Sequence, residues 1–182
     1  MNAHHWMVLA AVVVTAVAAW TDLRTGEIPN RVTLVPLALA PFVHASIAFG
    51  AERSGWAALV AAGSSLLGAA VCLLIPLALF RVGAIGGGDT KLFAAVGAIG
   101  RPEFGVHAET YAFVLGMLYA IGLVIQQRKL GSTLGNVAAI FRGAARSSSQ
   151  TNPAPADMTQ VRFGPAILAG VTAAGCLQWS GQ

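Results

Sequence analysis

The sequence predicts an all-α protein, a polytopic membrane protein with about six transmembrane helices. Of its 182 residues, 56% are hydrophobic and only 10% are charged, whereas soluble domains usually carry about 25% charged residues. Six apolar runs approach the roughly 20 residues that a spanning helix needs. Basic residues concentrate in every second connection between these runs, which is typical of multi-pass membrane proteins.

The six runs differ in strength. The first is expected to be a retained span rather than a secretory signal, because no Lys or Arg precedes Trp6. The fourth is the weakest, since Gly97, Gly100 and Pro102 dilute it. The expected spans are about Ala3 to Thr21, Val32 to Phe49, Trp56 to Phe80, a fourth starting near Thr90, Thr110 to Ile125, and Phe163 to Trp179.

The basic residues predict the orientation. With the N-terminus outside, the cytoplasmic connections hold nine basic residues and the outer connections hold two, Arg53 and Arg101. Such a bias favours six spans with both termini outside. It also explains the net charge of +4 without nucleic-acid binding, because no dense basic patch with interleaved aromatics occurs. The nine cytoplasmic positions are Arg24, Arg31, Arg81, Lys91, Arg128, Lys129, Arg142, Arg146 and Arg162.

Residues 1–182 are expected to form a single membrane domain with one long cytoplasmic loop, residues 126–162. Apolar residues recur at helical spacing from Leu134 to Phe141, with Arg142 and Arg146 close by. This pattern predicts a short interfacial helix on the anionic inner leaflet. The stretch from Ser147 to Ala156 is typical of a flexible linker.

Only three aspartates occur, and two of them fall at span ends. Asp157 lies in the polar linker and is expected to be a solvated charge, whereas Asp22 ends span one and Asp89 begins span four. Because these spans run in opposite directions, both carboxylates are expected at the same membrane face. Two ionisable groups at a membrane boundary predict a functional site.

Two neighbouring carboxylates that share one proton can hydrolyse a peptide bond without a metal or another cofactor. One acts as base toward water while the other polarises the carbonyl group. Nothing else in the composition competes: the histidines lack metal-ligand spacing and are expected in the outer half, and Cys72 and Cys176 are expected to be small buried hydrophobes. The glycines Gly86, Gly87 and Gly88 are expected to admit a substrate backbone and to permit positive φ.

Other interpretations of the two aspartates remain open. Asp22 is alternatively a helix-end charge paired with Arg24 or Lys91, and Asp89 an ordinary N-cap of span four. In a proton-coupled membrane transporter, Asp22 and Asp89 would be relay carboxylates, but transporters typically show inverted repeats and broken helices that this sequence lacks. A structural membrane subunit would not need either carboxylate.

Three sequence blocks together resemble the type IV prepilin peptidase family, in the family's order and across most of the span layout. They are Asp22 with Ile28-Pro29-Asn30, Gly86-Gly-Gly-Asp89-x-Lys91, and Arg162-Phe-Gly164-Pro165 through Gly170. By this resemblance, Asp22 and Asp89 match the family's catalytic aspartates. The supporting or substrate-binding candidates are Gly86, Gly87, Gly88, Lys91, Gly164 and Pro165.

The resemblance implies a prepilin or pseudopilin precursor as substrate, with a basic leader that ends in Gly before a hydrophobic helix. It further implies cleavage at the cytoplasmic face of the bacterial inner membrane. The short chain, without a long N-terminal cytosolic insertion, resembles the Flp-pilus (tight-adherence) branch, and the paired cysteines of the branch with an N-methyltransferase region are absent. Membrane lipid is the only other expected partner; no metal, cofactor or nucleic acid is expected, and oligomeric state is not indicated.

Two details qualify the resemblance. Relatives often carry Pro-Tyr or Pro-Phe where this chain has Arg162-Phe163, and these two positions are given no role. Intramembrane proteases of the presenilin type place their Tyr-Asp pair in mid-span, whereas Asp22 is expected at a helix end. Within the pair, Asp89 is expected to be the ionised base, because it begins a helix, and Asp22 to hold the shared proton, because it lies in a last turn.

Overall fold

The computed structural model describes the backbone of residues 3–126 and 163–180 and the side chains of residues 5–122 and 163–179. These residues form five helices and no strand. Four helices are long and apolar enough to cross a membrane, so the chain is an all-α, multi-pass membrane protein, as predicted. The loop elements expected between residues 127 and 162 lie outside the described residues. The helices are α1 (Ala3–Thr25), α2 (Asn30–Glu52), α3 (Gly55–Arg81), α4 (Gly87–Gln126) and α5 (Gly164–Ser180).

The ends of α1 and α3 are set by local turn chemistry. Gly26 follows α1 with a φ of 73°, and its N–H donates to the carbonyl oxygen of Asp22 at 2.9 Å. This left-handed glycine is a common helix C-cap. The hydroxyl of Ser54 caps the start of α3 by accepting from the N–H of Ala57 at 3.4 Å. The caps place Asp22 in the last turn of α1, at the end of its span as expected.

The fourth helix is folded into a hairpin. Arg101 is its one non-helical residue, with φ 66° and ψ 175°. The rings of Phe93 and Phe113 stack with centroids 5.2 Å apart, although 20 residues of straight helix would separate them by about 30 Å. The chain therefore reverses at Arg101, and residues 87–100 and 102–116 form two antiparallel arms.

These arms correspond to the fourth and fifth expected spans, but the fifth begins earlier than expected. The second arm starts at Pro102 rather than near Thr110, because proline suits the first turn of a helix. Glu109 lies in this added stretch; its side chain is buried and hydrogen-bonds with the thiol of Cys72.

Glycines allow α3 and both arms of α4 to approach closely. A Cβ at Gly105 would lie 2.6 Å from Sγ of Cys72 and 2.9 Å from Cα of Gly97. A Cβ at Gly68 would collide with the carbonyl oxygen of Gly97. Small residues of this kind let membrane helices pack backbone to backbone. The first arm is consequently the buried centre of the bundle, since residues 92–100 are all buried.

Polar side chains close the far end of the first arm. Nε2 of His44 lies 2.9 Å from the carbonyl oxygen of Ile99, and the hydroxyl of Ser65 donates to the carbonyl oxygen of Ala98 at 2.7 Å. Carbonyls in the last turn of a helix lack helical partners, so these bonds satisfy them inside the bundle. Ten residues of helix, about 15 Å, separate this end from Asp89.

The chain divides into two compact units, Met1–Gly116 with Arg162–Gln182, and Met117–Val161. All the residues discussed below belong to the first unit. The described part of the second unit is the end of α4, residues 117–126. The expectation of a single domain over residues 1–182 stays a prediction.

We expect Gly68→Leu to destabilise the protein by about 1–3 kcal/mol, because the new side chain must displace the first arm of α4. Gly63→Leu in the same helix is the matched control, since nothing lies within 4 Å of a Cβ at Gly63. Thermal unfolding of the two purified variants in one detergent measures the difference. Equal melting temperatures would contradict the close crossing of α3 and α4.

Candidate active site

The structure brings Asp22 and Asp89 together at one end of the bundle. Asp22 lies in the last turn of α1 and is 6% exposed. Asp89 is the third residue of α4 and is partly buried, with its Oδ1 atom fully buried. The two carboxylates are close enough for Asp22 to repel a negative charge on Asp89.

The amino end of α5 holds Asp22. The N–H of Gly164, the first residue of α5, donates to Oδ2 of Asp22 at 3.0 Å within the buried interior. The first N–H groups of a helix lack helical partners and carry the positive end of the helix dipole. A Cβ at Gly164 would lie 2.8 Å from Oδ2 of Asp22 and 3.2 Å from Cα of Ala19. Only glycine fits between α1 and α5 at this point.

The amino end of α4 holds Asp89. Its carboxylate accepts a backbone hydrogen bond from Gly86, the residue before the helix, in the way the acidic member of a capping box does. Because α4 begins at Gly87, Asp89 is not the N-cap, and that alternative interpretation is wrong. The Oδ1 atom of Asp89 has no hydrogen-bond partner. This atom is therefore the free hydrogen-bonding position of the pair on the Asp89 side.

The reason for expecting different roles for the two carboxylates does not hold in the structure. The sequence placed Asp22 at the unfavourable carboxyl end of α1 and only Asp89 at a helix amino end. In the structure, Asp22 also faces the amino end of α5 through Gly164. Each carboxylate thus accepts a backbone N–H at a helix start, and the assignment of the ionised base to Asp89 does not follow.

The glycines before Asp89 serve packing rather than unusual backbone conformations. None of Gly86–Gly88 has a positive φ, so that expectation is wrong. A Cβ at Gly87 would lie 3.3 Å from the ring of Phe80, and one at Gly88 would lie 3.1 Å from Cβ of Ile28. These glycines let the α1–α2 connection and the end of α3 close around the start of α4.

Two cations near the pair have other partners. Nζ of Lys91 donates to Oδ1 of Asn30, the first residue of α2, at 2.8 Å. This bond ties the Ile-Pro-Asn block to the glycine–aspartate block. The guanidinium of Arg24 lies 4.2 Å above the ring of Trp20. The structure therefore does not support the alternative in which Asp22 is a helix-end charge paired with Arg24 or Lys91.

The two candidate residues of the third sequence block, Gly164 and Pro165, both lie at the start of α5. Gly164 is buried against Asp22, and Pro165 is the partly buried second residue of the helix, where a missing N–H is tolerated. Sequence reasoning missed the residue before them: the ring of Phe163 packs with the rings of Phe93 and Phe113. A large aromatic residue directly before a Gly-Pro helix start was the available signal.

A further buried acid also escaped sequence reasoning. Glu109 is 5% exposed, and its Oε1 atom has no hydrogen-bond partner. An acidic residue between two apolar runs was the available signal. Cys72 is buried as expected, whereas Cys176 is exposed, so that expectation for Cys176 is wrong. Within residues 3–126 and 163–180, no cluster of three His, Cys, Asp or Glu side chains could hold a metal ion.

Comparison with known proteins shows the family of the chain. The model of the type IV leader peptidase family matches residues 9–121, more than half of the chain and a range that includes both aspartates. The prepilin leader peptidase/N-methyltransferase of Bacillus subtilis (strain 168) is 31% identical over 112 residues, 62% of this chain but 42% of that protein. No solved structure matches. The chain belongs to the type IV leader peptidase family.

Proposed function

We propose that the protein is a membrane aspartyl endopeptidase that removes the leader peptide from prepilin-like precursors, with Asp22 and Asp89 as its catalytic residues. One observation carries the proposal: in a chain of the leader peptidase family, the two carboxylates converge at one end of the bundle. Each is held by a backbone N–H at a helix start.

The geometry suits acid–base hydrolysis. The ionised carboxylate removes a proton from a water molecule, whose oxygen attacks the carbonyl carbon of the scissile bond. The protonated carboxylate donates to the carbonyl oxygen, and the departing amine takes up a proton as the C–N bond breaks. The hydrogen bond from Gly164 stabilises negative charge on Asp22. The unpartnered Oδ1 of Asp89 is the natural position for the shared proton.

The supporting residues have separate roles in this proposal. Gly164 and Pro165 start α5 at Asp22, while Gly86, Gly87 and Gly88 pack the start of α4 at Asp89. Lys91 acts through Asn30 by joining α4 to α2. None of these residues needs a cofactor for its role.

The substrate in this proposal is a prepilin or pseudopilin of the Flp type, with a basic leader ending in Gly before a hydrophobic helix. Support comes from the family and from the name of the Bacillus subtilis relative. The connection between α1 and α2 contains only the four residues 26–29, which fits a branch without a long N-terminal cytosolic insertion. N-methylation is not part of the proposal.

Cleavage is proposed at the cytoplasmic face of the inner membrane. The helix ends near the pair carry Arg24, Arg31, Arg81 and Lys91, whereas the described opposite ends carry Arg53 and Arg101. Positive charge favours the cytoplasmic side. The basic leader of a precursor would remain on that side, where both carboxylates would meet it.

We expect Asp22→Asn and Asp89→Asn each to reduce cleavage by about 10²–10⁴-fold, because an amide neither accepts nor passes the proton. Glu103→Gln is the control, since this exposed acid lies just after the reversal at Arg101, far from the pair. Processing of a co-expressed Flp-type precursor is measured by the mobility shift of the precursor. The membrane levels and melting temperatures of the variants are compared with those of the wild type. Full processing by either Asn variant would refute the catalytic pair.

The orientation is tested by cysteine labelling in a Cys72→Ala, Cys176→Ala background. We expect Thr25→Cys, at the end of the bundle that holds the pair, to react with a membrane-impermeant thiol reagent only from the cytosol. Ser54→Cys, in the turn between α2 and α3, should react only from outside. Labelling of Ser54→Cys from the cytosol would reverse the proposed orientation.

A further inference from the structure

We propose that three phenylalanines, Phe93, Phe113 and Phe163, form a positioning cluster that sets the separation of Asp22 and Asp89. The proposal rests on the catalytic role assigned to the pair above. The three side chains take no part in the proposed chemical step. They act through the helices that position the two carboxylates.

The cluster is a closed set of three mutual ring contacts. The centroids of Phe93 and Phe113 lie 5.2 Å apart, those of Phe93 and Phe163 6.3 Å, and those of Phe113 and Phe163 5.9 Å. All three distances fall in the range of favourable aromatic pairs. Each ring therefore contacts the other two, and these contacts couple the three chain segments that carry the rings.

The cluster reaches both carboxylates through short rigid segments. Phe93 follows Asp89 by four residues on the first arm of α4, so the two side chains share one face of the helix. Phe163 directly precedes Gly164, whose N–H donates to Asp22. One structural path between the two carboxylates therefore runs through the rings of Phe93 and Phe163 and the Gly164 hydrogen bond.

The second arm of α4 provides the surface on which the ring of Phe163 packs. It carries Phe113 and, about one turn later, Gly116. A Cβ at Gly116 would lie 2.5 Å from Cε2 of Phe163 and 3.4 Å from Cβ of Ala166. Glycine at this position thus leaves room for the ring of Phe163, and a larger residue would push the start of α5 away from the bundle.

The position of α5 matters because the Gly164 bond has little tolerance. Its donor and acceptor are 3.0 Å apart, near the optimum for N–H···O bonds, which weaken steeply with misalignment. A displacement of about 1 Å is enough to reduce catalysis strongly when reacting groups must meet in one geometry. If the cluster is loosened, Gly164 leaves Asp22 and the pair loses its fixed spacing.

Simple core packing would be the plain alternative role for these rings, and the chain offers a matched control. Phe104 is as buried as Phe93, each at 1% exposed. Its ring packs at Gly100, beside the reversal of α4, at the opposite end of the first arm from Asp89. Truncating Phe104 should cost core stability without disturbing the start of α5.

The test compares Phe163→Leu, Phe113→Leu and Gly116→Leu with Phe104→Leu in precursor cleavage. We expect the first three to lower kcat by about tenfold or more, as loss of one charge-assisted hydrogen bond would, with KM nearly unchanged. Phe104→Leu should keep the wild-type kcat even where its melting temperature falls as far.

A second readout does not depend on activity. In the Cys72→Ala, Cys176→Ala background, Asp22→Cys with Asp89→Cys should cross-link rapidly with a short bifunctional thiol reagent. Adding Phe163→Leu should slow this cross-linking several-fold, whereas adding Phe104→Leu should not. Equal behaviour of Phe163→Leu and Phe104→Leu in both kcat and cross-linking would overturn the positioning role. Cleavage by the Asn variants of the pair would instead overturn the proposed function, so the two failures are distinguishable.

Discussion

Two carboxyl groups in an apolar helical bundle impose the constraint on which this site depends. A buried carboxylate is stable only when hydrogen-bond donors face it, and helices in a membrane have free N–H groups only at their amino ends. The chain meets this constraint by bringing the starts of α4 and α5 to the end of α1. Gly86 serves Asp89 and Gly164 serves Asp22, so the placement of three helices follows from the needs of two side chains.

Close contacts between backbones explain several of the glycines in the bundle. Close approach of a backbone N–H to a carboxylate excludes a side chain at Gly164. Close crossing of α3 with the arms of α4 excludes side chains at Gly68, Gly97 and Gly105. Glycine here is a packing residue, and its distribution traces the contacts that hold the first arm of α4 at the centre of the bundle.

The sequence was sufficient for the features that depend on composition and on order along the chain. Apolar runs predicted helices near most of their observed bounds, and opposite span directions predicted Asp22 and Asp89 at the same face. What it did not show were the contacts between distant segments: the donation from Gly164 to Asp22, 142 residues apart, and the ring contacts of Phe163. Periodicity reports which face of a helix is buried, but not which residue of another helix lies against it.

Glu109 shows the other limit. A buried acid is costly and therefore rare within a membrane span. The cost is reduced here by a hydrogen bond with Cys72, a partner on another helix that no local pattern reveals. The burial of Glu109 therefore does not follow from the sequence around it.

The length of the first arm of α4 has a consequence for access to the site. Residues 87–100 rise only about 21 Å, against a hydrocarbon thickness of about 30 Å. An arm so short leaves at least one of its ends below the level of the lipid headgroups. Because residues 92–100 are buried inside the bundle, a recess on the Asp89 side would be lined by the ends of other helices rather than by lipid, and the water that hydrolysis consumes would enter between them.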